Sequence, residues 1–293
     1  MTTQPLDLIG KRVANRYDVV ALLGTGGMGV VYRASDRLLQ REVALKVLTE
    51  RSDAIRRRFL LEARSLARLN HPGIVAIYDA GEASGIPYIV MELATGPTLG
   101  DLAAGGMTVG FAVRATIRLL DALHYAHEND VLHRDVKPSN IVVRSDGSVK
   151  IMDFGLARRI SDLSAGTQAG EITGTISYLP PERFLGKPAD ARGDLYSLGI
   201  VLYELFTGTL PFRNEREDLV AEVFAHVNEP ALPPTRYNAD LPAELERIVL
   251  KSIEKDPALR HQSARELQDD LRAFLSARSE ADALPIQPRR SGS

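Results

Sequence analysis

The sequence has no cysteine among its 293 residues. That excludes disulfide scaffolds, thiolate metal sites and cysteine nucleophiles. It also lacks a surplus of either charge, since 36 lysines and arginines against 38 acidic residues leave a formal net charge of -2. Without a basic surplus, neither nucleic acid nor an anionic membrane is expected as the main partner. No run approaches the roughly 18 apolar residues that a membrane span needs. The opening stretch, MTTQPLDLIGKR, has no apolar centre of a secretory signal. What remains is ordinary for a soluble globular chain, with 44% hydrophobic and 25% charged residues. The length suits one large domain or two modest ones. The expectation is a soluble, cytoplasmic chain with ample material for a core.

The texture changes along the chain. Residues 1–16 read as a polar lead-in. From Tyr17 to about Leu93, short β-branched runs alternate with Gly, Pro, Asn and Asp, which predicts strands. One helical stretch, about Asp53 to Leu69, interrupts them. From about Leu99 the pattern is helical, with Val113, Ile117, Leu120 and Leu123 recurring at spacings of four and three. Residues 193–208 are apolar nearly all round, which predicts a helix buried on every side. The stretch from Ala243 reads as two amphipathic helices broken at Pro257. The final residues, ADALPIQPRRSGS, have little to bury and read as tail or linker over 276–293. The expected architecture is α+β. A small, mostly β lobe spans 17–93, a join 94–98, and a larger, mostly α lobe 99–275.

Gly24, Gly26 and Gly29 form a GxGxxG. A dinucleotide-binding turn wants a helix straight after the last glycine, but VVYRAS follows, so these glycines join two strands. No Lys-Ser/Thr follows Gly29, so this is not a P-loop. A glycine hairpin lets backbone N–H groups approach phosphates; taken alone, a plain hairpin is an even alternative. Lys46 shares a strand face with Ala44, opposite Val43, Leu45 and Val47, as a cation beside a cavity would; an exposed strand lysine is the bland alternative. Glu62 falls inside the apolar stripe of Phe59, Leu66 and Leu69. There a carboxylate is costly unless paired, with Lys46 the candidate partner, or else it reaches water at the stripe edge. His133-Arg134-Asp135 leads into Lys137 and Asn140, and Asp153-Phe154-Gly155 begins thirteen residues after Asn140. Asp135, Asn140 and Asp153 carry the oxygen donors that hard Mg²⁺ prefers. The intervening IVVRSDGSVKIM predicts a hairpin turning at Asp146-Gly147, which returns Asp153 close to Asn140. His124 and His127 stand at i and i+3 on a helix and read as helix face rather than metal ligands. Arg56, Arg57 and Arg58 read as a solvated face.

Taken in order, these motifs resemble the eukaryotic-like (Hanks-type) protein kinase family over about residues 17–275. The finer texture is similar to its bacterial serine/threonine branch. Further matches are Gly174-Thr175…Tyr178…Pro181-Glu182, which resembles the GTxxY…APE segment with Pro180 where alanine is usual, and Asp194…Gly199, with Tyr196 where tryptophan is frequent. Arg260 resembles the arginine that pairs with the APE glutamate, here Glu182.

The resemblance implies a bilobal kinase fold with ATP between the lobes and Mg²⁺, or alternatively Mn²⁺, as the metal. It implies Leu23, Gly24, Thr25, Gly26, Gly27, Met28, Gly29 and Val31 over the nucleotide, with Val31, Ala44 and Val142 sandwiching adenine. The backbone of Glu92 and Ala94 would bond the base behind a Met91 gatekeeper. Lys46, held by Glu62, would grip the α- and β-phosphates, and Asn140 and Asp153 the metal. Asp135 would orient a protein Ser/Thr hydroxyl, and Lys137 would neutralise charge on the γ-phosphate. Arg134 would pair with an activation-loop phosphate. Thr167 is the first expected autophosphorylation site and Thr173 the second, with Thr175 structural at the substrate site. Leu66, Ile77, His133 and Phe154 resemble the family's hydrophobic spine. The likeness also suggests a homodimer through the small lobe, and a longer membrane-anchored or multidomain parent. Two other readings share the fold or the chemistry: a non-catalytic scaffold, and a small-molecule phosphotransferase. Intact catalytic positions argue against the first; the GTISY…PPE segment, Asp194 and Arg260 argue against the second.

Overall fold

The computed structural model describes residues 7–26, 29–49, 52–154, 176–212 and 218–278, together with Leu284 and Ile286. The chain divides into two compact units, one reaching Thr95 and the other starting at Gly96.

The first unit is a six-stranded antiparallel sheet with one helix. Its strands are β1 (Arg12–Val13), β2 (Tyr17–Gly26), β3 (Gly29–Asp36), β4 (Arg41–Leu48), β5 (Ile77–Ala83) and β6 (Ile86–Glu92), in the order β1-β2-β3-β4-β6-β5. Strand alternation sorts β4 as its sequence requires. Val43, Leu45 and Val47 enter one cluster with Val30, Tyr32, Tyr88 and Val90. The opposite face lies under helix α1 (Asp53–Leu66), where Phe59 and Ala63 pack with Leu48 and Ile89. The sheet begins earlier than sequence texture suggests. β1 pairs with β2, and Leu8 and Val13 pack on the first cluster, so part of the lead-in is core. At the far end of β3 the buried Asp36 accepts two bonds from Arg16, at 2.8 and 2.7 Å. That paired guanidinium holds its carboxyl down at about 2. Tyr17 donates to Asp79 at 2.6 Å, which ties β2 to β5.

The second unit is mostly helical: α2 (Leu99–Gly105), α3 (Val109–Glu128), α4 (Pro181–Phe184), α5 (Ala191–Thr207), α6 (Leu219–Asn228), α7 (Ala243–Ser252) and α8 (Ala264–Ala277). A short antiparallel hairpin, β7 (Ile141–Val143) with β8 (Val149–Ile151), lies among them. Every residue of α5 from Gly193 to Phe206 is buried, as its all-round apolar sequence demands. Gly199 allows this, because a Cβ there would stand 2.7 Å from both Ile253 and Ser252 at the end of α7. α3 packs against α8, and Gln268 donates to the Ile117 carbonyl and to Asp121, both at 2.9 Å. The two C-terminal helices are separated by a longer break than Pro257 alone implies, running from Ile253 to Ser263. Ile286, in the stretch read as tail, is buried at 3% exposure.

His226 of α6 is buried among Tyr196, Phe184 and Phe212, and bonds the Tyr196 hydroxyl at 3.1 Å. Burial, and then the Lys255 ammonium, push its imidazole down to about 3. His261 is likewise lowered by burial. A histidine that titrates near 6.5 when unfolded but lower when folded adds stability above pH 6.5, and that stability is lost as pH falls from 6.5 toward the folded value. The loss is about 1.4 kcal/mol per pH unit for each such group. Glu222, whose carboxyl burial raises, acts in the opposite sense and softens the slope. Urea titrations from pH 7 to 5 should therefore show falling stability, and His226→Phe should flatten the slope by about one proton. Equal slopes in the two proteins would contradict this.

Candidate active site

In the first unit, cross-strand pairing assembles one face from residues far apart in sequence. Lys46 lies opposite Val31 and Ile89, and Ala44 opposite Met91, so all five share a face. α1 covers part of that face with Phe59 and Ala63. Glu62 projects from the same helix between Phe59 and Leu66 and is half-buried, as is Lys46. Leu66 and Ile77 pack on this cluster. Met91 and Glu92 end β6, and the Glu92 N–H donates to the Ala76 carbonyl at 2.8 Å, while Ala94 follows two residues on.

The glycines divide by what each one answers to. A Cβ at Gly29 would lie 2.2 Å from the Val47 carbonyl oxygen, so the β3–β4 approach itself demands glycine there. Gly24 and Gly26 face open space, with nothing within 4 Å of a Cβ. Protein packing does not require their missing side chains, whereas close approach of phosphate to the backbone would. Leu23 is exposed and Thr25 sits between the two glycines on β2. Gly27 and Met28 lie outside the described residues.

In the second unit the segment from His133 to Asn140 is pinned from below by one buried carboxylate. Asp194, in the first turn of α5, accepts the His133 N–H at 2.8 Å and the Arg134 N–H at 2.7 Å. It also bonds His127 Nε2 at 2.8 Å. Burial by itself would raise this carboxyl, but the His127 bond and the Arg134 N–H outweigh it and hold it below the usual carboxylate range. Arg134 takes φ 65° and Asp153 φ 51°, left-handed values that cost non-glycine residues about 1–3 kcal/mol each. For Arg134, the bonds to Asp194 offset that cost. His133 accepts the Asp135 N–H on Nδ1 at 3.2 Å, so Nε2 carries the proton donated to the Met152 carbonyl at 2.9 Å. Burial lowers the His133 pKa and keeps it in this neutral form. Its ring meets Phe154 in a tilted contact, with centroids 4.5 Å apart.

Above this base stands Asp135. Its Oδ2 takes a bond from Asn140 Nδ2 at 3.0 Å and faces Lys137 Nζ at 2.9 Å. Asn140 Nδ2 also donates to the Asp135 carbonyl at 2.8 Å, which commits its nitrogen and leaves its amide oxygen as the atom able to ligate a cation. The β7–β8 hairpin turns at Asp146-Gly147, and the Met152 N–H donates to the Asn140 carbonyl at 2.8 Å. That bond brings Asp153 beside Asn140, the return expected from the sequence. One amide oxygen and one carboxylate make a sparse set. No group of three His, Asp or Glu side chains able to hold a metal occurs among the described residues. A hard divalent cation that completes its sphere with phosphate oxygens and water fits such a pair. Val142 lies on β7, buried, with Thr98 bridged to it.

The segment after the loop is tied down by carboxylates. Ser177 donates to Glu222 and Tyr178 to Glu204, each at 2.5 Å. Glu182 receives both arms of Arg260, at 2.9 and 2.8 Å, with the arginine side chain fully buried. The pairing expected for Arg260 is therefore present. Thr167, Thr173 and Thr175 lie outside the described residues. The histidine pair divides: His124 sits near Glu128 at 3.4 Å, while His127 turns inward to Asp194. Both stand four residues after an apolar stripe member, Leu120 or Leu123, so spacing does not separate them. Glu182→Ala would strand a buried guanidinium, and urea denaturation should show a loss of about 3–5 kcal/mol. A loss below about 1 kcal/mol would mean that the pair is not what holds this corner.

Comparison with known proteins agrees with this geometry. The protein kinase domain family matches residues 17–271. The chain is 42% identical over 280 residues to the serine/threonine-protein kinase PknB of Mycobacterium leprae, covering 92% of this chain and 44% of that protein. For PknB of Mycobacterium tuberculosis the figures are 44% over 269 residues, 88% and 43%. The chain thus spans less than half the length of these relatives. Among solved structures, a mutant kinase domain of Mycobacterium tuberculosis PknI aligns with a TM-score of 0.71 at 29% identity, covering 93% of this chain and 99% of that one. The apo form of PpkA-294 aligns with a TM-score of 0.76 at 28% identity, covering 92% of this chain and 100% of that one. The chain belongs to the protein kinase family, among its bacterial serine/threonine members.

Proposed function

We infer that this chain is an ATP-dependent kinase domain that transfers the γ-phosphoryl group to serine and threonine hydroxyls of proteins. The observation that carries the reading is the fixing of Asp135 by Asn140 and Lys137 on a loop anchored to Asp194. Asn140 and Asp153 are the residues to hold Mg²⁺, with Mn²⁺ as the alternative. When bound, the cation neutralises charge on the phosphates. Lys46, supported by Glu62, is assigned to the α- and β-phosphates, and the Gly24–Gly29 turn to their backbone contacts. Val31, Ala44 and Val142 offer apolar surface to adenine, and Glu92 and Ala94 offer main-chain polar groups.

Asp135 has one carboxylate oxygen engaged by Asn140 and Lys137, which leaves the other to accept from an incoming hydroxyl. A carboxylate is too weak a base to ionise an alcohol in advance. Its contribution is alignment and late acceptance of the proton, as a loose phosphoryl-transfer transition state allows. Lys137, already beside Asp135, is placed to balance charge developing on the transferred group. Arg134 is exposed next to the anchored backbone and can pair with a phosphate on the following loop, for which Thr167 is the first candidate and Thr173 the second.

Transfer to a generic basic protein, followed by phosphopeptide mapping, tests the reading in one experiment. Asp135→Asn should lower transfer at least about 100-fold with ATP affinity within a few-fold. The unmodified chain should acquire phosphate at Thr167, and the variant should not. Near-normal turnover by Asp135→Asn would overturn the assignment of Asp135. An unphosphorylated Thr167 in fully active enzyme would overturn the loop assignment.

A further inference from the structure

Two residues beyond α8, Leu284 and Ile286, pair with the backbone at the start of α3. The Val109 N–H donates to the Leu284 carbonyl at 2.9 Å, and the Ile286 N–H donates to the Met107 carbonyl at 2.8 Å. These are the reciprocal bonds of an antiparallel ladder. Ile286 is 3% exposed, as deeply buried as residues of the central core. The receiving edge has reason to want a partner. Val109 is the first residue of α3, where the N–H has no intrahelical acceptor. Thr108 caps Phe111 with its hydroxyl and is extended, at φ -96° and ψ 156°. Met107 and Val109 therefore present a carbonyl and an amide in strand geometry at the corner between α2 and α3.

The sequence of the incoming segment suits that edge. It reads Leu284-Pro285-Ile286-Gln287-Pro288. The two bonds use the carbonyl of Leu284 and the amide of Ile286, so the absent N–H of Pro285 is no loss. Proline also biases the residue before it toward extended backbone, which lowers the entropy lost on docking. Five residues, 279–283, separate the last described residue of the α8 region from Leu284. So short a tether supplies an effective concentration in the millimolar range, enough for a contact of one buried side chain and two bonds.

We propose that the Met107–Val109 edge is a docking site for an extended apolar segment, and that Leu284 and Ile286 are its tethered occupants. Whatever follows residue 286 in a longer protein then sets out from the α2–α3 corner and not from the end of α8. This proposal is independent of the catalytic assignment, since none of its residues belongs to that set.

Amide hydrogen exchange on the whole chain tests it. In Ile286→Asp, the Val109 amide should exchange at least about tenfold faster while Leu119–Leu123, inside α3, stay protected. Free peptide ADALPIQPR at millimolar concentration should restore the protection. Val109→Pro is the second variant: proline suits the first helical position and an extended Thr108 precedes it, so α3 should persist. Its one lost donor should speed exchange at the Ile286 amide severalfold. Unchanged Val109 exchange in Ile286→Asp would overturn the proposal, as would unchanged Ile286 exchange in Val109→Pro. Protection that rises with protein concentration together with dimer formation would also overturn it, because the edge would then take the tail of a second copy.

Discussion

A single buried carboxylate carries the second unit's chemistry. Asp194 sits at the start of the most deeply buried helix and holds two consecutive backbone N–H groups of the loop that presents Asp135. Without it, those donors would be buried with no partner, at about 1–3 kcal/mol each, and Arg134 would have no reason to keep a left-handed backbone. His127 closes the arrangement from α3, so one charge joins two helices and a loop. The functional groups above inherit their positions from this base. Asp135 is aimed by Asn140 and Lys137, and Asn140 is joined through its carbonyl to the residue preceding Asp153.

Much of this was legible from residue order because its causes are local. Alternation along β4 put Ala44 and Lys46 on one face, and the Asp146-Gly147 turn brought the strand that leads to Asp153 back toward Asn140. The all-round apolar run of α5 announced its own burial. Arg260 and Glu182 were readable only through likeness to a family, since 78 residues separate them and neither has a local signature. His127 was read as helix face because its partner lies 67 residues away, and a period of 3.6 cannot tell an inward histidine from its neighbour. The bonds from Ser177 to Glu222 and from Tyr178 to Glu204 are non-local in the same way. The docking of Ile286 was missed for a different reason. A single apolar residue among prolines has no periodicity, and only the vacant N–H at the start of α3 explains why it finds a place.

The two units illustrate two ways of placing a polar group. In the first, Lys46 owes its position to strand register, with Val31 and Ile89 as cross-strand neighbours and the apolar side of α1 over the same face. Shifting that register by one residue would send the lysine to the other face. In the second unit, position comes from paired and hydrogen-bonded charges at low exposure: Asp194, Glu182 with Arg260, and Glu222 with Ser177. Such groups are costly to bury and more costly to strand, which makes the unit intolerant of losing any one partner.

The most direct measurement is the rate of phosphoryl transfer by Asp194→Asn, taken beside its unfolding curve. Asparagine matches aspartate in shape but offers one acceptor oxygen where two N–H groups need one each. If the anchored loop is what aims Asp135, turnover should fall by about 100-fold or more while the protein still unfolds in one cooperative step. Wild-type turnover in that variant would contradict the dependence of the site on this carboxylate.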